Sequence, residues 1–261
     1  MTLGRRWVVL LPILAVILLA WLGHGQAQSQ TVGTATPTPV AETPTPTTTP
    51  TPTATASIPS ARDLLTQMSL AITAKNSFHQ SSRTSIVIPQ TTKELETVQG
   101  DVSLRPLLQH IVGTIRTTRL TLHPAKTTTQ HEEIVVVKKK AASKFGKKAW
   151  TCTTLAKVTQ TVGGLLGGAS IQSLDNLGAE VVRAIPVWHV RAVVTVKLSG
   201  STLPITDDLY IAQADSTLVR ETASASASFF GVTFDEKVTQ DNSRYGETVK
   251  VKLPTACQGK H

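Results

Sequence analysis

The chain has 261 residues, of which 26 are Lys or Arg and 17 are Asp or Glu, so its formal net charge is +9. A basic balance favours anionic partners such as lipid headgroups or acidic envelope polymers, or it only keeps the surface soluble. We expect no nucleic-acid partner, because aromatic residues make up only 4% of the chain and single-stranded bases are commonly bound by aromatic stacking.

The N-terminal segment predicts export. Two arginines precede an apolar run from Trp7 to Leu22, and a Gly-x-Ala sequence follows just before Gln28. This is the order of a signal peptide. The run is also close to the minimum length of a spanning helix, with tryptophans near both ends. We therefore interpret residues 1–28 as a signal peptide or N-terminal membrane anchor, and the protein as extracytoplasmic, either membrane-anchored in the cell envelope or secreted.

A low-complexity tract separates this segment from the rest of the chain. Residues 29–59 are built largely from Thr, Pro and Ala, with Glu42 their only charge. Such a composition cannot form a core, so the tract is predicted to be a disordered spacer. The remaining residues, 60–261, are enough for one globular domain.

The domain is predicted to open with a helix and continue as a meander. Ser60 and Asp63 form a helix-capping pattern, and apolar residues recur at helical spacing until Asn76. The period then changes to two, which predicts antiparallel strands over 78–88, 95–104, 113–122 and 132–139. A lysine-rich hairpin follows around residues 145–146. Its lysines are interpreted as contacts for lipid headgroups, with Lys138, Lys140 and Lys144 as candidates, or as protection of a strand end.

Three further strands are predicted over 188–198, 209–214 and 218–229, with a turn over 199–204. The first places its even-numbered apolar residues on one face, and the last presents alanines there. Those alanines indicate either a cavity for an apolar guest or a helix lying close against them. Between the hairpin and these strands, the glycine-rich residues 163–168 are flanked by helix-like pieces. They predict either a movable flap or a plain helix connection.

No constellation in the sequence predicts catalysis. The histidines lack metal-ligand spacing, and we expect no metal and no cofactor. The doublets at 132–133 and 207–208 point to opposite faces of their strands and are interpreted as solvated strand ends, while His189 is expected to be exposed or half-buried. Two cysteines in an exported chain allow one intramolecular pairing, so Cys152 and Cys257 are predicted to form a structural disulfide.

The order of these features resembles the LolA/LppX-like envelope proteins, which include outer-membrane lipoprotein carriers and LppX/LprG-type lipoproteins. The resemblance lies in the opening helix, the hairpin from Glu132 to Cys152, the strand pair at 188–198 and 209–213, and the ending from Phe234 to Pro254. One feature departs from it, since no cysteine precedes Cys152 and the lipid-attachment cysteine of LppX-type proteins is absent.

This resemblance implies an α+β fold, an antiparallel β half-barrel whose concave face is covered by helices. It also implies a hydrophobic cavity that binds a lipid or lipidated molecule, with transfer in the envelope, a membrane surface and another envelope protein as further partners. The predicted cavity lining is Val190, Ala192, Val194, Val196, Ala223, Ala225, Ala227, Leu165 and Leu166. The alternative function is a non-catalytic surface interaction or sensor domain with a filled core.

Overall fold

The structure, a computed structural model, describes residues 58–156, 166–198, 201–229 and 232–259. Helix α1 (Ala61–Lys75) is followed by eleven β-strands and a 3-10 turn at Thr255–Cys257. The strands are β1 (Ser77–Ile88), β2 (Thr92–Leu104), β3 (Leu107–Arg119), β4 (Lys126–Val137), β5 (Lys140–Phe145), β6 (Thr151–Thr154), β7 (Leu166–Val182), β8 (Ile185–Leu198), β9 (Ser201–Ala212), β10 (Leu218–Phe229) and β11 (Val232–Ser243). Residues 155 and 156 are also helical, and the continuation of that segment lies outside the described residues.

The described strands form one antiparallel sheet in the order β6-β5-β4-β3-β2-β1-β11-β10-β9-β8-β7. Strands β1–β6 and β7–β11 are two meanders, and the pairing of β1 with β11 joins them. The edge strands β6 and β7 are not paired with each other, so the sheet stays open. This architecture fits the predicted half-barrel, whereas cover by helices other than α1 stays a prediction.

The two faces of the sheet carry different covering elements. Helix α1 packs on one face, which we call the helix-side face, through Val190 of β8, Leu209 of β9 and Leu218 of β10. The C-terminal tail packs on the opposite face, which we call the tail-side face, through Val251 and Leu253. Because side chains alternate along a strand, the pairing register assigns each residue to one of these faces.

Helix α1 begins and ends where the sequence predicts. The Ser60 hydroxyl accepts a hydrogen bond from the backbone N–H of Asp63 at 3.1 Å and donates one to its carboxylate at 2.6 Å. At the other end Asn76 adopts a left-handed conformation with φ of 64°. Its side-chain amide bonds the backbone N–H and C=O of Arg105, which ties the helix end to the turn between β2 and β3.

The apolar stripe of α1 forms the core at one end of the sheet. Leu64, Leu65 and Met68 are buried, and Met68 is fully inaccessible to solvent. They pack with Val190 and Ile211, which the strand register places on the helix-side face. The burial of this stripe is what holds the helix against the sheet.

The C-terminal tail is fixed to the other face by the predicted disulfide. Cys152 of β6 is bonded to Cys257, and their Cα atoms are 5.5 Å apart. Cys257 is buried with Val135 and Ala142, and Trp150 packs against the same cluster. The tail thereby covers the short strands β5 and β6 near one edge of the sheet.

The structure corrects several predicted boundaries. Strands β3 and β4 begin six residues earlier than predicted (107 against 113 and 126 against 132). The added residues are a largely apolar segment in β3 and a Thr-rich segment in β4, and both compositions suit a strand. Pro204 lies inside β9 rather than in a turn. It pairs with Thr195 of β8, and within the described residues the pairing of β9 with β10 ends at Ile205. A proline is tolerated more readily where a strand has a neighbour on one side only.

The expectation of a helical piece after the glycine-rich segment is wrong. Residues 166–182 form the 17-residue edge strand β7, so the last glycines of the supposed flap, Gly167 and Gly168, belong to a strand. Its register with β8 shifts at three places, and such bulges are common in edge strands. The shifts hide the period of two that would have identified the strand in the sequence.

We expect Met68→Ala to lower the free energy of unfolding by about 2 to 4 kcal/mol, because it opens a cavity in a fully buried site. Chemical denaturation would measure this. Leu70→Ala on the same helix is the matched control, since Leu70 is 66% exposed and its loss should cost less than about 0.5 kcal/mol. Equal effects of the two substitutions would contradict the packing described for α1.

Replacing both cysteines by serine is expected to reduce the free energy of unfolding by up to about 4 to 5 kcal/mol. The bond closes a loop with a sequence separation of 105 residues, and the chain-entropy model predicts a loss of this size. Urea denaturation of the wild type, oxidised and reduced, should reproduce the difference. Two free thiols in unreduced, denatured wild type would show that the bond does not form.

Candidate ligand-binding face

The helix-side face carries an apolar strip beyond the contact with α1. Ala192, Val194 and Val196 of β8 are buried in one cluster with Ile205 of β9, and Ala223 and Ala225 of β10 pack against it. Leu174 of β7 and Leu203 of β9 complete the cluster. The structure thus brings together the alanine strand and the predicted apolar face of β8.

The other predicted cavity residues have different positions. Val190 packs with α1 rather than with the alanines. Ala227 is paired with Phe234 and follows Ala225 on the same face by register, but its side chain lies outside the described residues. The same holds for the side chain of Leu166 and for the whole of Leu165. An enclosed cavity behind the strip stays a prediction.

Six carboxyl groups share the helix-side face with this strip, and sequence reasoning missed them as a group. The pairing register places them in three neighbouring rows that cross the sheet from β9 to β4. They are Glu94, Glu96, Glu132, Asp207, Glu221 and Glu236. Glu96, Glu132 and Glu221 are at most 5% exposed. The sequence contained one indication of this group, because alternation along β10 places Glu221 on the same face as Ala223 and Ala225.

Two of these acids approach each other across a glycine. Glu96 lies opposite Thr84, and Glu132 lies opposite Gly113 of β3. A Cβ atom added at Gly113 would lie 2.8 Å from Oε1 of Glu132 and 2.6 Å from Val98. Any larger residue at 113 would therefore displace the Glu132 side chain, so the glycine makes room for the carboxyl group.

Several buried oxygens on this face have no hydrogen-bond partner among the described residues. Both carboxyl oxygens of Glu132 are in this state, as are Oε2 of Glu96, Oδ1 of Asp207, Oε1 of Glu236 and the Ser82 hydroxyl. Ser82 follows Glu221 and Gln240 in one row. Since buried polar atoms are normally paired, this concentration indicates a place for a ligand, an ion or water.

The environment raises the pKa of four of the six carboxyl groups, those of Glu96, Asp207, Glu221 and Glu236. Burial raises the pKa of Glu96 well above its ordinary value, and the neighbouring Glu132 carboxyl raises it further. Burial likewise raises the pKa of Glu221 and of Asp207, each with a further contribution from a nearby carboxyl group. Burial raises the pKa of Glu236 from 4.5 to about 7. The face therefore favours protonated carboxyl groups when no cation is near.

The tail-side face has the opposite arrangement, with acids paired to cations. Arg191 donates to Asp208 at 2.7 Å, and Arg220 donates to Asp241 at 2.8 Å. Burial alone would raise the pKa of Asp208, but hydrogen bonds from Arg191 and His189 hold it below its ordinary value. The doublet at 207–208 is thus split between an unpaired interior acid and a paired acid on the opposite face.

This arrangement corrects two expectations from the sequence. Glu132 and Asp207 are not solvated strand ends, because Glu132 is only 3% exposed and one carboxyl oxygen of Asp207 is buried. His189 is 6% exposed rather than exposed or half-buried. Its Nδ1 lies 2.8 Å from a carboxyl oxygen of Glu180 and its Nε2 lies 2.9 Å from one of Asp208, so the ring is held between two carboxyl groups.

The candidate headgroup lysines lie away from the carboxyl-lined face. Lys140 and Lys144 of β5 have tail-side register, and Nζ of Lys144 lies 5.9 Å from the ring centre of Trp150. Lys138 occupies the turn between β4 and β5 with φ of 56°. Their role in headgroup contact stays a prediction.

The chain is similar in structure to the lipoprotein LppX from Mycobacterium tuberculosis, with 18% sequence identity and a TM-score of 0.44 over 73% of this chain and 97% of LppX. The fold resembles that of LolA/LppX-like proteins. A LolA superfamily protein from Nitrosomonas europaea is also similar, with 8% identity and a TM-score of 0.29 over 74% of this chain and 96% of that one. At such identities these similarities concern the fold alone.

No protein-family model matches the chain, and no curated protein sequence matches it either. Across the residues that the structure describes, no three His, Cys, Asp or Glu side chains are grouped so that they could hold a metal ion. The same part of the chain contains no helix that is long and apolar enough to cross a membrane.

The raised pKa of Glu236 predicts that stability decreases with rising pH. A carboxyl group whose pKa is raised on folding contributes most below its unfolded value of 4.5. That contribution is lost as the pH rises through about 7. We expect the melting temperature of the wild type to fall by about 5 to 10 °C between about pH 5 and pH 8.

Glu236→Gln should flatten this dependence, because the amide does not titrate. Asp235→Asn is the matched control, since Asp235 is the neighbouring, exposed acid and has tail-side register. Calorimetry of the three proteins across the pH range would test this. A melting temperature that responds to pH identically in all three would show that Glu236 is not the cause.

Proposed function

We propose that this protein binds a lipid or lipidated molecule outside the cytoplasm, with the acyl chain on the helix-side face. The observation that carries the proposal is the alanine strand β10, whose Ala223 and Ala225 pack against the apolar strip of β8 and β9. Core strands usually present larger branched side chains. Small side chains in this position leave room for an apolar guest.

The energetics of such a site are favourable without specific polar contacts. Each methylene group removed from water contributes about 0.8 kcal/mol. An acyl chain lying along Ala192, Val194 and Ala225 would therefore bind through apolar burial alone. Polar atoms at the edge of the strip would then determine which head group is accepted.

The proposed place of action is the cell envelope, on the membrane or released from it. The predicted signal or anchor at residues 1–28 and the spacer at 29–59 support it, because they would present the domain beyond the membrane. The disulfide between Cys152 and Cys257 is compatible with an oxidising compartment. We propose binding rather than catalysis, because no constellation of residues in the sequence predicts catalysis.

Substitution of Ala225 by Phe tests the position of the acyl chain. The larger side chain would occupy the space beside Val194 and Ile205, so uptake of an uncharged fluorescent dodecyl probe should weaken by about tenfold or more. Fluorescence titration of the full chain measures the affinity, and native mass spectrometry shows whether lipid co-purifies with it.

Ser224→Phe is the control, because Ser224 is exposed and has tail-side register on the same strand. It should bind the probe as the wild type does, and both variants should keep the wild-type thermal unfolding transition. A folded Ala225→Phe protein with undiminished binding would move the acyl chain away from this strip. A wild type that neither co-purifies with lipid nor takes up the probe would refute the proposed function.

A further inference from the structure

We propose that the carboxyl groups of the helix-side face bind the cationic head of an amphiphile, in the simplest case a primary ammonium group, while its chain lies on the apolar strip. This inference rests on the proposed function and names the class of head group. The anionic-headgroup hypothesis based on the lysines of residues 138–148 becomes its alternative.

The first support is the separation of charge between the two faces. In the three rows that hold the six acids, the register places no Lys, Arg or His on the helix-side face of the described strands. The charged residues of α1, which are Arg62, Asp63 and Lys75, are all exposed. The nearest basic residues with helix-side register are Arg119 and Lys126. Both are exposed, in the hairpin that joins β3 to β4. The interior acids therefore lack a counter-charge from the described chain.

The second support is a set of buried oxygens on this face that have no hydrogen-bond partner within the described residues. The Ser82 side chain is only 4% exposed, yet its hydroxyl has no hydrogen-bond partner within the described residues. The same is true of both oxygens of Glu132, which is 3% exposed. Both residues belong to the row that contains Gly113, beside which the Glu132 carboxyl group lies. An ammonium group carries three N–H donors, and the unpaired oxygens on this face are acceptors for such donors.

Two of the acids, Asp207 and Glu236, lie beside the apolar strip. Asp207 lies directly between Ala192 and Ala223 in the register, and Glu236 lies opposite Ala225. A chain on the strip would therefore reach the first carboxyl groups within the same rows. Glu96 and Glu132 lie farther along those rows, on the other side of β1, where a head group would follow.

Proton release should accompany this binding. Without a ligand, burial raises the pKa of Glu96, Asp207, Glu221 and Glu236 and so favours their neutral form. A bound ammonium group supplies the missing positive charge and stabilises carboxylates in their place. The carboxyl groups that face this surface are Glu94, Glu96, Glu132, Asp207, Glu221 and Glu236. Because the pKa of Asp207 and of Glu236 is raised to about 7, affinity for an amine that stays protonated throughout this range should rise between about pH 5 and pH 8.

Three ligands with the same chain and different heads test the proposal. The full chain is titrated at about pH 8 with dodecylamine, dodecanol and dodecanoate below their micelle concentrations, by displacement of the uncharged fluorescent probe. We expect dodecylamine to bind at least about tenfold more tightly than dodecanol, and dodecanoate more weakly than either. Calorimetry in two buffers of different ionisation enthalpy should detect protons released on binding of the amine.

The double substitution Glu96→Gln and Glu132→Gln should reduce dodecylamine affinity to that of dodecanol and leave dodecanol binding unchanged. Glu133→Gln is the matched control, because Glu133 is the next residue of β4 and bonds His110 on the tail-side face. It should retain the preference for the amine. Unchanged dodecanol binding also shows that the double variant is folded.

The outcomes separate this inference from the proposed function. Equal affinity of the wild type for the amine and the alcohol, or tighter binding of dodecanoate, would overturn the cationic head group while leaving acyl-chain binding intact. Failure of all three ligands to bind would overturn both. If the double variant still prefers dodecylamine to dodecanol, the ammonium group does not bind at Glu96 and Glu132.

Discussion

The antiparallel pairing of β1 with β11 is the interaction on which the rest of the structure depends. It joins two meanders that are otherwise separate in the sheet, and nine residue pairs from His79–Ser243 to Val87–Asp235 fix its register. The acids of β2 and β4 share a face with those of β9, β10 and β11 only because of this register. A slip of one residue would move one half of the acids to solvent and bring the ion-paired residues inside.

The two faces of the sheet resolve the problem of buried charge in different ways. On the tail-side face, acids such as Asp208 and Asp241 are neutralised by arginines in direct contact. On the helix-side face, carboxyl groups are buried beside alanine and valine, and burial shifts them toward the neutral form. This arrangement is costly for stability alone, since a buried polar atom without a partner loses its hydration. Unfavourable local chemistry of this kind is more typical of a binding surface than of a packing surface.

The elements that cover the sheet reinforce this division of roles. Helix α1 packs through Met68 and its neighbours on β8, β9 and β10, and leaves the alanine cluster to the strands themselves. The disulfide and the C-terminal tail stabilise the opposite face near β5 and β6, which are the shortest of the described strands. Stabilisation is thus concentrated at the two ends of the sheet. The carboxyl rows lie between them.

The sequence by itself determined the elements that depend on local chemistry. The capping residues Ser60 and Asn76 fixed the limits of α1, strand alternation predicted β1, β8 and β10, and two cysteines allowed a single disulfide. It also placed the alanines on one face of β10. Boundaries were less accurate where threonine-rich segments extended a strand, and β7 was missed because its bulges interrupt the period of two. Only the tertiary structure decided which acids share a face of the sheet. Glu96, Glu132, Asp207 and Glu236 are far apart in the chain, and long-range strand pairing places them on the same face. Alternation within one strand shows that two neighbours point apart, but whether a face is buried depends on the curvature of the whole sheet.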